Sequence, residues 1–217
     1  MTKVFFDVGV SLDGFVAGPN ARPGNPLGDG GLHIHDWMFR TATFRRLLGG
    51  DHVDRLGTGR DAGDTGIDDE LVKGVFARTG AYVIGRRMFD EGEVGWPEEA
   101  PFRAPVFVLT TKAREPWVRK GGTTFHFVTD GFTNALGRAK EAAGGKDVRI
   151  SGGADAIRQA LDAGAVDDFT LHIAPLLLGS RPGTGTRLFD HSLPLSIEQT
   201  SASHSPHVTH VHYRVCR

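Results

Sequence analysis

Cysteine is nearly absent: the chain of 217 residues holds one, Cys216. A single cysteine excludes an internal disulfide and fits a reducing compartment. No staple is needed either, because a chain of this size buries on the order of 70% of its unfolded surface. Charge of either sign is not in excess. There are 25 basic and 26 acidic residues, for a formal net charge of −1. No basic block points to nucleic acid and no acidic tail to a disordered regulator. No apolar run approaches the roughly 18–20 residues needed to span a bilayer. The first residues, Met-Thr-Lys-Val-Phe-Phe-Asp, carry charge inside any would-be apolar core, so no signal peptide is expected. Chemistry is missing as well. There is no Gly-x-Ser-x-Gly elbow and no His-x-Glu paired with Pro-Cys-x-x-Cys, which sets aside serine-nucleophile and zinc-deaminase sites. Repeats, interdomain linkers and low-complexity tracts are lacking. The expectation is one cytoplasmic domain, residues 1–217, binding neither membrane nor nucleic acid.

What is present is an alternation of strand and helix patterns. Strands are predicted at Val4–Val10, Ala81–Ile84, Val106–Leu109, Thr123–Val128, Val148–Ile150 and Phe169–Ile173. Helices are predicted at Ile34–Leu48, Asp68–Thr79, Arg86–Glu91, Phe132–Ala143 and Ala154–Ala163. Residues 11–31 and 49–66 are rich in glycine, aspartate, asparagine or proline and read as long loops of the kind that serve as lids. Ser196–Ser201 and Val208–Val215 read as a closing antiparallel pair. The fold class is therefore α/β, with a mixed, mainly parallel central sheet flanked by helices.

Glycine is the conspicuous resource, at 30 residues. It marks two strand-to-helix turns, Val83-Ile84-Gly85-Arg86-Arg87 and Ile150-Ser151-Gly152-Gly153-Ala154. Such turns leave free backbone N–H groups at a helix N-terminus, where the dipole attracts anions and glycine lets a phosphate approach. Two of them suit one ligand with more than one anionic part, such as a dinucleotide. In the first, Arg87 and Met88 offer N–H groups and Arg86 a positive charge suited to a ribose 2′-phosphate. The same residues also make an ordinary turn with solvated arginines. In the second, two glycines stand where a simple turn needs one. Thr110-Thr111-Lys112, also at a strand end, could hold an adenosine phosphate. All three would lie at the carboxyl ends of strands, where open α/β sheets bind ligands. A formal dinucleotide fingerprint at Gly57–Ala62 has no strand before it and is set aside.

Two acids are candidate proton donors. Asp13 follows the first strand in Ser11-Leu12-Asp13-Gly14; a pocket shielded from water would raise its pKa. Asp-Gly is equally a turn signal. Asp36 precedes Trp37 and Phe39, which could sandwich a flat heterocycle, or equally pack in the core. His33 and His35 are candidate substrate contacts. The histidines at 204, 207, 210 and 212 invite a metal reading, but zinc wants three or four ligands in tetrahedral closure. A polar strand face accounts for them better, so no metal is expected.

These motifs, together with Val108-Leu-Thr-Thr-Lys112 and Leu171-His-Ile-Ala-Pro-Leu-Leu-Leu-Gly179, occur in an order that resembles the dihydrofolate reductase-like superfamily. More narrowly, residues 2–190 resemble the reductase domain of the bifunctional riboflavin-biosynthesis deaminase–reductase. The resemblance implies NADPH across the strand ends, with Gly85, Arg86, Arg87 and Met88 on its phosphates. It implies Thr110, Thr111 and Lys112 on the adenosine side, and Ser151, Gly152, Gly153 and Ala154 at the pyrophosphate. It matches Asp13 to the acid of the riboflavin-type loop, and Asp36-Trp37 with Phe39 to the helix that grips pteridine in the folate enzyme. Phe15 stands where riboflavin-type reductases commonly carry a basic residue and Met88 where many carry threonine, and no accompanying deaminase domain is expected. The resulting expectation is an NADPH-dependent reductase of a small nitrogen heterocycle, pyrimidine- or pterin-like, with a homodimer possible. A non-catalytic NADPH- or small-molecule-binding protein and a histidine-based metal hydrolase are the alternatives.

Overall fold

The structure is a computed structural model that describes residues 1–48, 63–179, 184–190 and 194–216. Six strands run parallel: β1 (Val4–Ser11), β3 (Thr79–Gly85), β4 (Val106–Leu109), β6 (Thr124–Val128), β7 (Asp147–Gly152) and β8 (Asp168–Ala174). Antiparallel strands close both edges: β5 (Trp117–Val118) beside β6, and β11 (Thr209–Val215) with β10 (Ile197–His204) beside β8. The order across this nine-stranded sheet is β10-β11-β8-β1-β7-β3-β4-β6-β5. A second, two-stranded sheet pairs β2 (Phe15–Ala17) with β9 (Thr186–Arg187). The mixed, mainly parallel architecture with a terminal antiparallel pair is the one expected.

Alternation along the strands divides the core. Val4, Phe6, Val83, Val148, Ile150 and Phe169 face α5 (Phe132–Ala142) and α6 (Ala154–Asp162). Tyr82, Ile84, Val106, Val108 and Phe125 face the other way, onto Phe89 of α4 (Arg86–Glu93) and onto Ala100 and Phe102. On that second side a smaller cluster joins Trp37, Met38, Phe44, Val72, Phe76 and Val208. It brings α1 (Asp36–Arg40), α2 (Ala42–Leu48) and α3 (Ile67–Arg78) together. Arg78, at the end of α3, lies over the Phe5 ring at 3.8 Å and pairs with Asp147 and Asp168. All six parallel strands end on one edge, and the site forms along it.

Two expectations need correction. The helix expected over 34–48 is three pieces: a 3-10 turn at Gly31–His35, then α1, then α2. Thr41 breaks it, buried in extended conformation at φ −67° and ψ 140°. Its hydroxyl donates to Met38 O at 2.7 Å, while Asp64 N donates to Arg40 O and Ala42 N donates to Asp64 O. Partners distant in sequence thus take groups that a continuous helix would bond internally. The loop expected over 11–31 contains β2, because Phe15, Val16 and Ala17 are all buried. Gly57–Ala62 and most of the second loop lie outside the described residues.

Candidate active site

The turn at Gly85 and the turn at Gly153 meet. A side chain at Gly85 would come within 3.6 Å of Gly153 N and 3.8 Å of Gly152 O. Each glycine caps a helix, α4 or α6, and neither start has a side-chain cap. The first N–H groups of both helices are therefore left to other partners. Gly152 has φ +130°, a conformation that favours glycine, and the Met88 sulfur lies 3.2 Å from where a Cβ would stand. At Gly153 a Cβ would meet nothing within 4 Å. That open cradle, ringed by uncapped backbone N–H groups, fits a diphosphate.

Consecutive residues of α4 face different compartments. Arg86 lines an outer cleft of about 450 Å³, with Thr110, Thr111 and Lys112 on the same wall and Gly131 and Gln159 across from them. Arg86 is oriented by Asp90, 2.7 Å from its Nε, and donates to Thr110 Oγ1 at 3.2 Å. Lys112 N donates to the same hydroxyl at 3.0 Å, which folds the turn back over the cleft. Arg87 and Met88 instead line a more apolar main pocket of about 300 Å³, together with Ser151, Gly152, Gly153 and Ala154. Arg86 in the cleft and Arg87 in the main pocket join the two along α4, and apart from Gly85 every expected cofactor residue lines one or the other.

The main pocket opens into an inner pocket of about 190 Å³, sharing Gly9, His35, Met38, Met88, Trp96 and Ser151 with it. The inner pocket is lined by Asp7, Arg149, Tyr82 and His172, groups not singled out from the sequence. Asp7 Oδ1 accepts from Arg149 at 3.1 Å, and Asp7 Oδ2 lies 2.9 Å from His172 Nε2. The latter contact has a hydrogen bond's distance but not its alignment, for His172 Nε2 finds no well-directed partner. Burial pushes the Asp7 carboxyl up, but the charges of His172 and Arg149 outweigh it and hold it at about 2. His35 is driven down to about 4 by burial first, then by His172 and Arg149, so its imidazole is neutral. The signal in sequence was a polar residue amid an apolar strand: Asp7 in Phe-Phe-Asp-Val, Arg149 in Val-Arg-Ile, His172 in Leu-His-Ile.

The acids expected from sequence lie elsewhere. Asp13 lines neither pocket. Its carboxylate accepts from Ser11 Oγ at 2.6 Å, Leu178 N at 3.2 Å and Gly179 N at 2.9 Å, pinning two loops together. Desolvation, the largest single influence, raises its pKa, but the Ser11 hydroxyl and those backbone N–H groups together prevail and lower it. That corrects the expectation of a raised value. Asp36 points outward to His33 Nδ1 at 3.0 Å, the side chains 53% and 70% exposed. Asp13, Asp36 and the expected substrate contact His33 line neither pocket; of the segment from 33 to 39, His35, Trp37, Met38 and Phe39 do. The two aromatics do not form a sandwich. Trp37 packs on the His172 and His210 rings at 4.6 and 5.0 Å, and Phe39 on Phe44 at 5.6 Å. Among the described residues no group of three or more His, Cys, Asp or Glu side chains is placed to hold a metal ion. No described helix is long and apolar enough to cross a membrane.

Similarity to known proteins agrees with this geometry. A protein assigned to riboflavin biosynthesis from Shewanella sp. PV-4 superposes with a TM-score of 0.64 at 20% identity, covering 100% of both chains. The riboflavin biosynthesis reductase Rib7 of Saccharomyces cerevisiae gives 0.58 at 12% identity, over 99% of this chain and 90% of its own. Dihydrofolate reductase from Enterococcus faecalis, solved in complex with NADP(H), gives 0.54 at 10% identity over 98% and 96%. At these identities the likeness establishes a dihydrofolate reductase-like fold. A search of curated proteins finds no match. The model of the RibD C-terminal domain matches residues 2–211, and the chain belongs to that family.

Proposed function

We propose that this chain is an NADPH-dependent reductase of a small nitrogen heterocycle of the riboflavin-pathway pyrimidine or pterin kind. Family membership supports a reductase. The observation that carries the cofactor is the pair of touching, uncapped glycine turns, with an open cradle at Gly153 between a cationic cleft and an apolar pocket. In this reading Arg86, Thr110, Thr111 and Lys112 hold the adenosine end and its 2′-phosphate. Gly85, Arg87, Gly152, Gly153 and Ala154 hold the diphosphate. The main pocket, walled by Val8, Met88 and Ala154, receives the nicotinamide. When bound, NADPH supplies a hydride.

The chain's own groups orient the acceptor and complete its protonation. Asp7, the carboxylate at the floor of the inner pocket, is positioned to accept from a ring N–H or amino group. Met38, Trp96 and Phe102 exclude water above it. Asp7 replaces Asp13 and Asp36 as the carboxyl group of the site, and with its pKa held at about 2 it is an anion that can pass on a proton only after receiving one.

Binding of NADPH and NADH, measured by fluorescence titration, tests the assignment. Each charged contact to a 2′-phosphate contributes about 1.5–3 kcal/mol, so two give well over tenfold preference for NADPH. Arg86→Ala is expected to remove most of that preference. Equal affinity of the wild type for both cofactors overturns it. NADPH oxidation with 5-amino-6-(5-phosphoribosylamino)uracil and with dihydrofolate then tests the substrate class.

A further inference from the structure

The inner pocket does not end at Asp7. Behind it a row of buried polar side chains crosses β8 and β11 to the start of α3. His172 Nε2 lies 2.9 Å from Asp7 Oδ2, and His172 Nδ1 lies 2.6 Å from His210 Nδ1. His210 Nε2 lies 2.9 Å from Asp68 Oδ1. Asp68 Oδ2 accepts from Ser205 Oγ at 2.8 Å. The two imidazoles pair because His210 and His172 stand opposite each other in the β11–β8 register. Both are 2% exposed, and Trp37 packs against both rings.

Counting protons along this row gives a definite result. Three short contacts join four groups. Two imidazole lone pairs cannot face each other at hydrogen-bond distance, nor can one face the Asp68 carboxylate, so those two contacts each need a proton. At Asp7 the alignment is poor, but a bare ring nitrogen 2.9 Å from a buried carboxylate is repelled by it, and a proton on His172 Nε2 turns that repulsion into attraction. Two neutral imidazoles bring two. The third contact is satisfied only if the row binds one proton more, and because the sites are coupled it belongs to the row rather than to one residue.

Resting on the reductase reading above, we infer that Asp68, His210, His172 and Asp7 form a proton-holding chain that loads from the outer edge of the sheet and supplies the proton completing the reduction. Hydride addition places an electron pair on a nitrogen or oxygen of the acceptor. His172 gives a proton to the Asp7 carboxylate, Asp7 passes it to that atom, and His172 takes one from His210. Water at the Asp68 end restores the count. Asp7 is the group that meets the acceptor, while His210 and Asp68 are positioning residues acting through His172. The other charged or titratable groups facing the chain are Arg149 from β7, Tyr82 from β3 and His35 from the 3-10 turn. Next along the same face stands the Arg78–Asp168–His212 group. His172 and Arg149 hold Asp7 as an anion between turnovers, so the extra proton lies on the ring nitrogens of the row, held there by the carboxylates at its two ends against the burial that lowers the pKa of His210. The apparent pKa of the row sets a limb of the rate profile, with activity falling as pH rises and the row empties.

The proton count needs no cofactor and no substrate. In the ¹⁵N-labelled full chain at neutral pH, three of the four ring nitrogens of His172 and His210 are expected to be protonated by their ¹⁵N shifts. Two protonated nitrogens, one per ring, overturn the proposal. His210→Asn is expected to leave His172 with one ring proton; Asp68→Asn serves the same purpose if that variant fails to fold. With whichever substrate turns over, either variant is expected to lower kcat at least tenfold at pH 8. KM and the NADPH dissociation constant are expected to stay unchanged, and the loss to shrink toward pH 6. Wild-type kcat at pH 8 overturns the catalytic role. Absence of NADPH binding, by contrast, sinks the reductase reading and leaves the proton count as it stands.

Discussion

At the scale of single residues, the site depends on polar groups that the packing puts under tension. Neutral His35 has its folded pKa near 4, well below its ordinary 6.5. The unfolded chain therefore binds more protons between those values, and stability falls as pH drops from about 6.5 through about 4. The shift corresponds to up to about 3 kcal/mol. Urea midpoints at pH 7 and pH 4.5 should differ markedly in the wild type and much less in His35→Gln. Asp7 loses its contribution lower, as pH falls from its ordinary range toward 2. Asp13 behaves differently, because its work is mechanical. Asp13→Ala leaves Leu178 N and Gly179 N without their acceptor and is expected to cost about 1–3 kcal/mol, with NADPH affinity intact. Sequence placed Asp13 correctly after the first strand. Its role was not legible, because whether a carboxylate is desolvated or met by N–H groups depends on a loop more than 160 residues away. Asp7 was readable in principle as the one charge inside an apolar strand.

At the scale of elements, strand and helix alternation was legible almost throughout, since burial on one face repeats with the element's own period. The 34–48 segment was not. Its apolar spacing suits a helix, and only the pairing of Thr41 with Asp64 breaks it. The short strands β2, β5 and β9 also escaped, since two or three residues carry no periodicity. Glycine turns were legible because their function is local. Gly153 has φ −69°, open to any residue, and free space at Cβ. Gly153→Val should therefore fold normally by circular dichroism yet lose NADPH binding; retained binding would show that the cradle is not the diphosphate site. Gly80 is the opposite case. A Cβ there would stand 2.1 Å from Ala143 O, where β3 passes the end of α5. Gly80→Ala is expected to destabilise the fold by about 2–3 kcal/mol in denaturant melts with little change in site chemistry.

For the whole molecule, one ligand crossing from the cleft to the main pocket would tie α4, α6 and the strand ends together. At a hundredfold excess over its dissociation constant NADPH adds about 2.7 kcal/mol. In a chain of this size that raises the melting temperature by about 5–10 °C. NADH at equal concentration should raise it less, which a thermal melt reads directly. Sequence could reach this level only by resemblance, because sheet order is set by which strands find each other, not by any local pattern. That order has a temporal consequence. The first strand, β1, is flanked on both sides by late ones, with Val4 paired to Val148 and Phe5 to Asp168. During synthesis, β1 emerges first and waits until β7 and β8 have been made before either edge is covered. Closing so long a loop is slow. Through that interval an apolar strand with two open edges is the segment most exposed to pairing with the wrong chain.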